Sequence, residues 1–536
     1  MSNPVLGKHT LRDLDIDHLS SAFDTATDAG AAALRVRLSE PLANAGAIQG
    51  RQEEMRGVRA ACRKNADAVA KARTVLRETE ADVRSIGAAA SDGRYAEYYS
   101  QLLWAADSRL AWLNEVSWLN ELVLFFRTIF LPGLTVILPL LVFIMPFIVF
   151  TFVLKKPLTV SEYFAMIQGA LKKAMPSVLG APRFAGRGGV AEAGEQIVHV
   201  VAGVVMFGAS MWNQVSAALN LRRVASDMRR RAAAVRSFTE AARALGAAIG
   251  IPCGFTHEWP VADIGIFGEA WNRPARIEEL LAEAGRLDML TAVGTRKRIC
   301  FPTLSETSLE ITDIYHPGLE AGRRIYNSIM IGEQDCRKHV LLTGPNRGGK
   351  STLLKSLGAA VLMSQTLGVV FARKARMPVF GSIVTALNPT DTLGALSLFE
   401  AEIEFAKDVK ATIATSTQPV FLMMDEIFHG TNAHDGVEAS QVFLDQLYSA
   451  GGATVFSVVS THYMDLPNRY GEKHTQNLCM DARVDPEDSD RLIYSYRLIP
   501  GVNQYSSVRE ILRERGLLDP GCGVGDQKSS QPASKV

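Results

Sequence analysis

The side chains best suited to chemistry lie in one stretch, HVLLTGPNRGGKSTLLKSLGAAVLM, from His339 to Met363. Within it Gly344, Pro345, Asn346, Arg347, Gly348, Gly349, Lys350 and Ser351 match the spacing G-x-x-x-x-G-K-[ST], and Thr352 follows in the first turn of a helix. Such a loop holds phosphate. Its glycines let backbone N–H groups converge on phosphate oxygens, and the helix N-terminus adds positive potential. At this spacing Lys350 reaches the β- and γ-phosphates and Ser351 ligates Mg2+. Further on, the apolar run Val420 to Met424 ends in Asp425 and Glu426. An acid at a strand end beside a phosphate loop gives Mg2+ a carboxylate, here Asp425. Glu426 stands where it can orient or activate attacking water. The run ATVFSVVS ends at Thr461 and His462. A histidine there can sense a γ-phosphate as donor or acceptor; it could equally be a polar cap.

These residues need a frame. His339 to Leu342 reads as a short buried strand, and a helix follows from Ser351. From Phe301 onward β-branched runs alternate with turns, which predicts a mixed α/β domain over 301–515. Residues 1–121 read as helical, rich in Ala, Leu, Arg and Glu, and 221–300 return to charged helical sequence. The stretch 516–536 is rich in Gly, Ser, Gln and Lys and reads as a disordered tail. Lys plus Arg total 57 and Asp plus Glu 56, a net charge of +1, which excludes polyanion binding through bulk charge but not through a local patch. The six cysteines are scattered without a C-x-x-C pair, which excludes a disulfide scaffold and the usual zinc spacings. The opening MSNPVLGKHTLRDLDIDHL has no apolar run behind a basic head, so no cleavable signal is expected.

Residues 122–220 change character. From Thr128 to Leu154 no residue is charged, long enough for one bilayer crossing, with Lys155 and Lys156 behind it and Trp112 and Trp118 before it. Pro132, Pro139 and Pro146 predict a broken or re-entrant helix. A second, weaker candidate covers 197–219 and is followed by Arg222, Arg223, Arg229, Arg230 and Arg231. Both stretches could instead be buried helices of a soluble core. Two crossings would leave the loop carrying Lys155, Lys156, Lys172, Lys173, Arg183 and Arg187 on the far side, against the positive-inside tendency. The topology stays open between two crossings and a shallow insertion.

TGPNRGGKSTLLKS, LMMDEIFHGTNAHDG and the THY at 461–463 together resemble the ATPase domain of the MutS family of DNA mismatch repair proteins. The resemblance runs over about residues 310–515 and takes in His316-Pro317 and the closing GVNQYSSVREIL. It implies an α/β P-loop NTPase domain of the ABC-like, MutS C-terminal type. An all-α core and lever domain, interrupted by transmembrane or re-entrant helices, would precede it. It implies ATP and Mg2+ as cofactors and a homodimer with shared sites. The family's middle signature is similar to Asp391 followed by Ser397-Leu398-Phe399-Glu400-Ala401-Glu402, so Ser397 would contact the γ-phosphate held by the opposite subunit. Gly430 and Thr431 fall where the family crosses the dimer seam. Pro41, Leu42, Ile48 and Arg51 are similar to the opening of the family's helical core. Departures are Arg347, where the family usually has an apolar residue, and Leu398 for Thr. The sequence opens at the helical core, with no room for the N-terminal mismatch-reading domain, and Phe267-Gly268-Glu269 is a chance match to that domain's Phe-x-Glu reader.

Three functions follow. The first is a membrane-associated dimeric MutS-like ATPase, facing the cytosol or another ATP-containing compartment and coupling its cycle to DNA. The second is a membrane-remodelling or transport-coupled ATPase without nucleic acid. The third is a soluble repair factor. The arginines of 222–231 suit phosphate backbones, anionic lipid heads or a solvated face equally.

Overall fold

The computed structural model describes residues 5–91, 98–99, 101–104, 108–156, 159, 161–163, 165–166, 169, 189–332, 337–387, 397–449, 455–471, 473–488 and 491–517. Asp391, Lys172, Lys173, Arg183, Arg187 and nearly all of the expected tail lie outside these residues. The chain divides into two compact units. Met1–Thr74, Ala242–Cys253 and Ala282–Val536 form the first, and Val75–Ala241 with Gly254–Leu281 form the second.

The first unit is built on a seven-stranded sheet. Its strands are β1 (Val5–Leu6), β5 (His339–Thr343), β7 (Ser382–Ala386), β8 (Val420–Met424), β9 (Val455–Ser460), β10 (Thr475–Val484) and β11 (Leu492–Pro500). The spatial order is β1-β7-β8-β9-β5-β10-β11, parallel throughout except where β11 pairs antiparallel with β10. Parallel strands covered on both faces read as continuous apolar runs, and every residue of β5, β8 and β9 is buried. One face packs on the Lys350–Thr366 helix through Leu353, Leu354 and Leu357, together with a smaller sheet of β2 (Thr303–Leu304), β3 (Leu309–Ile314), β4 (Asn327–Ile331) and β6 (Lys374–Met377). The other face packs on the Ala433–Ser449 helix through Phe443, Leu444 and Leu447.

Residues at the front of the predicted helical stretch 1–121 instead supply a strand. Val5 and Leu6 pair with Ser382 and Ile383 at the edge of the large sheet. Asp13, buried, accepts hydrogen bonds from the Thr385 hydroxyl (2.9 Å) and the Leu387 N–H (3.0 Å). Helices follow at Asp28–Leu38 and Ala45–Lys64. Asp288, fully buried, accepts from the N–H groups of Ala26 and Thr27, the Thr27 hydroxyl and Arg73 Nε at 2.7–3.0 Å. That set satisfies a carboxylate which would otherwise be costly to bury. Thr27 in turn caps the helix by accepting from the Gly30 N–H. Arg51 donates to the Thr366 carbonyl at the C-terminal end of the Lys350–Thr366 helix, where a cation meets the negative end of the dipole.

In the second unit a continuous helical run covers Ser117–Val153, with π-helical turns at Phe126–Phe130 and Val149–Val153. The widened turns flank the proline-bearing Leu131–Ile148 segment, where prolines withhold N–H groups from the ladder. Among the described residues one helix is long and apolar enough to cross a membrane, Trp118–Leu138, and little of it is buried. This begins ten residues before the predicted 128–154. The 197–219 stretch is the interior of the 61-residue helix Gly189–Ile249. On that helix three of the five singled-out arginines are engaged: Arg229 with Glu121, Arg230 with Asp82 and Asp227, and Arg231 with Asp227. Phe267 is fully buried and Glu269 is buried against Arg273 and Arg276, so this tripeptide presents nothing to a partner.

Candidate functional site

The carboxyl ends of β5, β8 and β9 lie side by side, the usual ligand-facing edge of an open α/β sheet. From β5 the chain turns at Gly344, and at Gly349 φ is +92°, with Tyr496 only 3.3 Å from where a Cβ would stand. Only glycine takes that backbone without strain. Arg347, at the loop's tip, also has positive φ (+67°), and its guanidinium pairs with Glu514.

Lys350 opens the helix and is buried. Its Nζ donates to the carbonyls of Gly344 (2.8 Å) and Pro345 (3.3 Å). Burial lowers its pKa, and the carboxylates of Glu426 and Asp425 oppose that shift. Ser351 Oγ donates to Asp425 Oδ2 at 2.6 Å. Glu426 Oε1 lies 2.9 Å from His462 Nε2, which is also 3.3 Å from Lys350 Nζ. One ring nitrogen cannot serve both: protonated it donates to Glu426, bare it accepts from the lysine. The His462 hydrogen bond holds the Glu426 carboxyl below its ordinary value against the opposing effect of burial, with help from the charges of His462, Lys350 and His429. Glu426 itself has φ of +53°, rare for a side-chain-bearing residue.

Of these groups Lys350, Ser351 and Glu426 line a cavity of about 640 Å3, together with the rest of Pro345 to Thr352 and with His316, Ile325, Asn327 and Tyr496; Asp425 and His462 stand behind them. The spacing of motifs gave no sign of Ile325, Asn327 or Tyr496. Tyr496 lies on β11, Asn327 opens β4 and Ile325 just precedes it, and they meet the loop only in three dimensions. Ser460, at the end of β9, was also missed. Its buried Oγ donates to Asp425 and accepts from the Glu426 N–H (2.9 Å).

Mg2+ prefers oxygen donors and takes few of them from protein. A hydroxyl and a carboxylate oxygen 2.6 Å apart at a helix N-terminus fit that preference. Among the described residues no group of three or more His, Cys, Asp and Glu side chains forms a cage of its own.

Ser397 is not among the residues lining this cavity. It caps the Leu398–Thr415 helix in a reciprocal box: its Oγ accepts from the Glu400 N–H, and Glu400 accepts from the Ser397 N–H. Gly430 abuts that cap, and its N–H donates to Glu402 (3.2 Å).

The family model described as MutS domain V matches residues 340–514. The DNA mismatch repair protein MutS of Thermotoga petrophila is 29% identical over 245 residues, which is 46% of this chain and 30% of that protein. That of Thermus aquaticus is 29% identical over 260 residues, 47% of this chain and 30% of its own. That of Bacillus subtilis is 30% identical over 199 residues, 36% and 22% respectively. The chain thus spans under a third of the length of these relatives. Residues 340–514, which carry the phosphate loop and the Asp425-Glu426 pair, are thus similar to domain V of the MutS family.

Proposed function

We propose that the protein is a Mg2+-dependent ATPase of the MutS type, working as a homodimer and coupling its cycle to DNA. The observation that carries the reading is the convergence of five side chains at one sheet edge in two hydrogen-bonded sets, Ser351 with Asp425 and Lys350 with His462 and Glu426. The cavity beside them is roomy enough for a nucleotide.

Lys350 leaves the carbonyls of Gly344 and Pro345 to meet phosphate oxygens. Ser351 and Asp425 would hold Mg2+, which supplies charge neutralisation at the phosphates. Glu426, kept ionised, accepts a proton from water or orients it. His462 fixes the Glu426 carboxylate and reports on phosphate through the nitrogen it shares with Lys350. Tyr496 offers an aromatic face and Ile325 an apolar one, suited to a base. Ser397, which does not line its own loop's cavity, exchanges its bonds with Glu400 for a second copy's phosphate. The test is phosphate release by purified protein with Mg2+, with and without DNA at low salt. Turnover unchanged by any DNA removes the nucleic-acid half of the reading; no turnover and no nucleotide retention removes all of it.

A membrane-attached form is favoured by one observation. Trp118, Leu122, Phe125, Ile137, Phe152 and Val153 are all exposed, Trp118 and Phe152 by about 70%. A soluble chain rarely leaves so large an apolar surface in water. Carbonate-resistant sedimentation with membranes is the expected result, and recovery in the soluble fraction overturns it. The transport-coupled alternative without nucleic acid draws on the same surface and is separated by the DNA arm above.

A further inference from the structure

We infer that Ser460 is a positioning residue for this site, holding Asp425 and Glu426 in register through a single buried hydroxyl. The inference rests on the ATPase reading and deepens it. Ser460 is the last residue of β9, is fully buried, and stands opposite Leu342 of β5 in the sheet register. A lone hydroxyl there is costly unless both its donor and acceptor capacities are used. Both are. Its hydrogen goes to Asp425 Oδ1, and its lone pair takes the Glu426 N–H at 2.9 Å.

Each bond has a separate consequence. Tying down Oδ1 leaves Oδ2 as the oxygen that faces Ser351, at 2.6 Å. Without the tie the Asp425 carboxylate can rotate about its last bond and present either oxygen at a changing angle. The bond to the Glu426 N–H acts on the backbone. Glu426 and Phe428 both have positive φ, +53° and +50°. Such conformations persist only where surrounding bonds over-determine them. Here the Asp425 N–H is held by the Ala386 carbonyl, the Glu426 N–H by Ser460 Oγ, and the Ile427 N–H by the Ser460 carbonyl. Ser460 thus supplies two of the three acceptors that hold the N–H groups of Asp425 to Ile427. That segment aims the Glu426 carboxylate at His462. One residue therefore sets the angle of the metal-facing oxygen and the direction of the water-facing carboxylate.

The test compares S460A, S460C and S460T with the unaltered protein. Cysteine fills nearly the same space but is a poor hydrogen-bonding group, and threonine keeps the hydroxyl. Retention of a fluorescent ATP analogue in EDTA reads the loop alone. The same retention titrated with Mg2+ reads the Asp425 side, and kcat reads the Glu426 side. S460A and S460C are expected to bind the analogue in EDTA within twofold of the unaltered protein. They should need about 10–100 times more Mg2+ for its tightening, and lose kcat by a similar factor with KM little changed. S460T should recover most of both. S460A matching the unaltered protein overturns the inference, as does S460C matching it while S460A fails, since only packing is then at stake. A loss of EDTA-phase retention in all three variants also overturns it, as general damage to the domain. An unaltered protein that neither retains the analogue nor releases phosphate sinks the ATPase reading instead, and the two failures are thereby told apart.

Discussion

Lys350 and Glu426 divide the labour at the residue scale. Lys350 spends its hydrogen bonds on its own loop, so K350A should remove the cation that phosphate would otherwise recruit. The expected outcome is loss of tight ATP retention, measured by filter binding. Glu426 is kept ionised by His462, so E426Q should retain ATP but turn it over about 10²–10⁴ times more slowly; normal turnover by E426Q refutes its role. The pH dependence follows from the direction of its shift. A carboxyl whose folded pKa lies below 4.5 is already ionised at neutral pH. The stabilisation it draws from His462 is present above the unfolded value and fades as pH falls through the folded one. The acid limb of kcat/KM assigned to Glu426 should therefore lie below pH 4.5 and be absent from E426Q. Much of this was legible in the sequence, because the loop's spacing and the acids after an apolar run have to be contiguous to work. Tyr496 and Ser460 were not, since nothing in a β-strand's own pattern says which neighbour its side chains will meet.

At the scale of elements, two placements carry tests. Asp288 gathers four donors from the start of one helix and from Arg73 of another. D288A should destabilise the first unit by about 3–5 kcal/mol, because it strands Arg73 and a helix cap together, and thermal melting reads this directly. The basic run on the Gly189–Ile249 helix separates into two groups. Arg229, Arg230 and Arg231 are answered by Glu121, Asp82 and Asp227, whereas Arg222 and Arg223 are exposed. If the run meets DNA or anionic lipid, R222A/R223A should weaken co-sedimentation with either far more than R229A does. The reverse ranking would mean that the ion pairs open on binding. Sequence showed the run and its neighbour Asp227 but not Glu121 and Asp82, which lie more than a hundred residues away.

At the scale of the molecule the question is whether two chains share a site. Mixing S397A with K350A protein provides the answer. If Ser397 serves the opposite loop, each mixed dimer regains one intact site, and random mixing restores about a quarter of full activity. If Ser397 serves its own loop, nothing is restored. The α/β core of this assembly was readable from its apolar runs, but its edge was not. Two residues, Val5 and Leu6, carry no periodicity that could mark a strand, and their partners are Ser382 and Ile383. That pairing has a consequence during synthesis. Val5 leaves the ribosome 377 positions ahead of Ser382. At about 5–20 residues per second this strand waits roughly 20–75 s for its mate. Until then the growing chain must keep a short sticky segment from settling elsewhere, and the edge contact of the large sheet closes long after its first strand has been made.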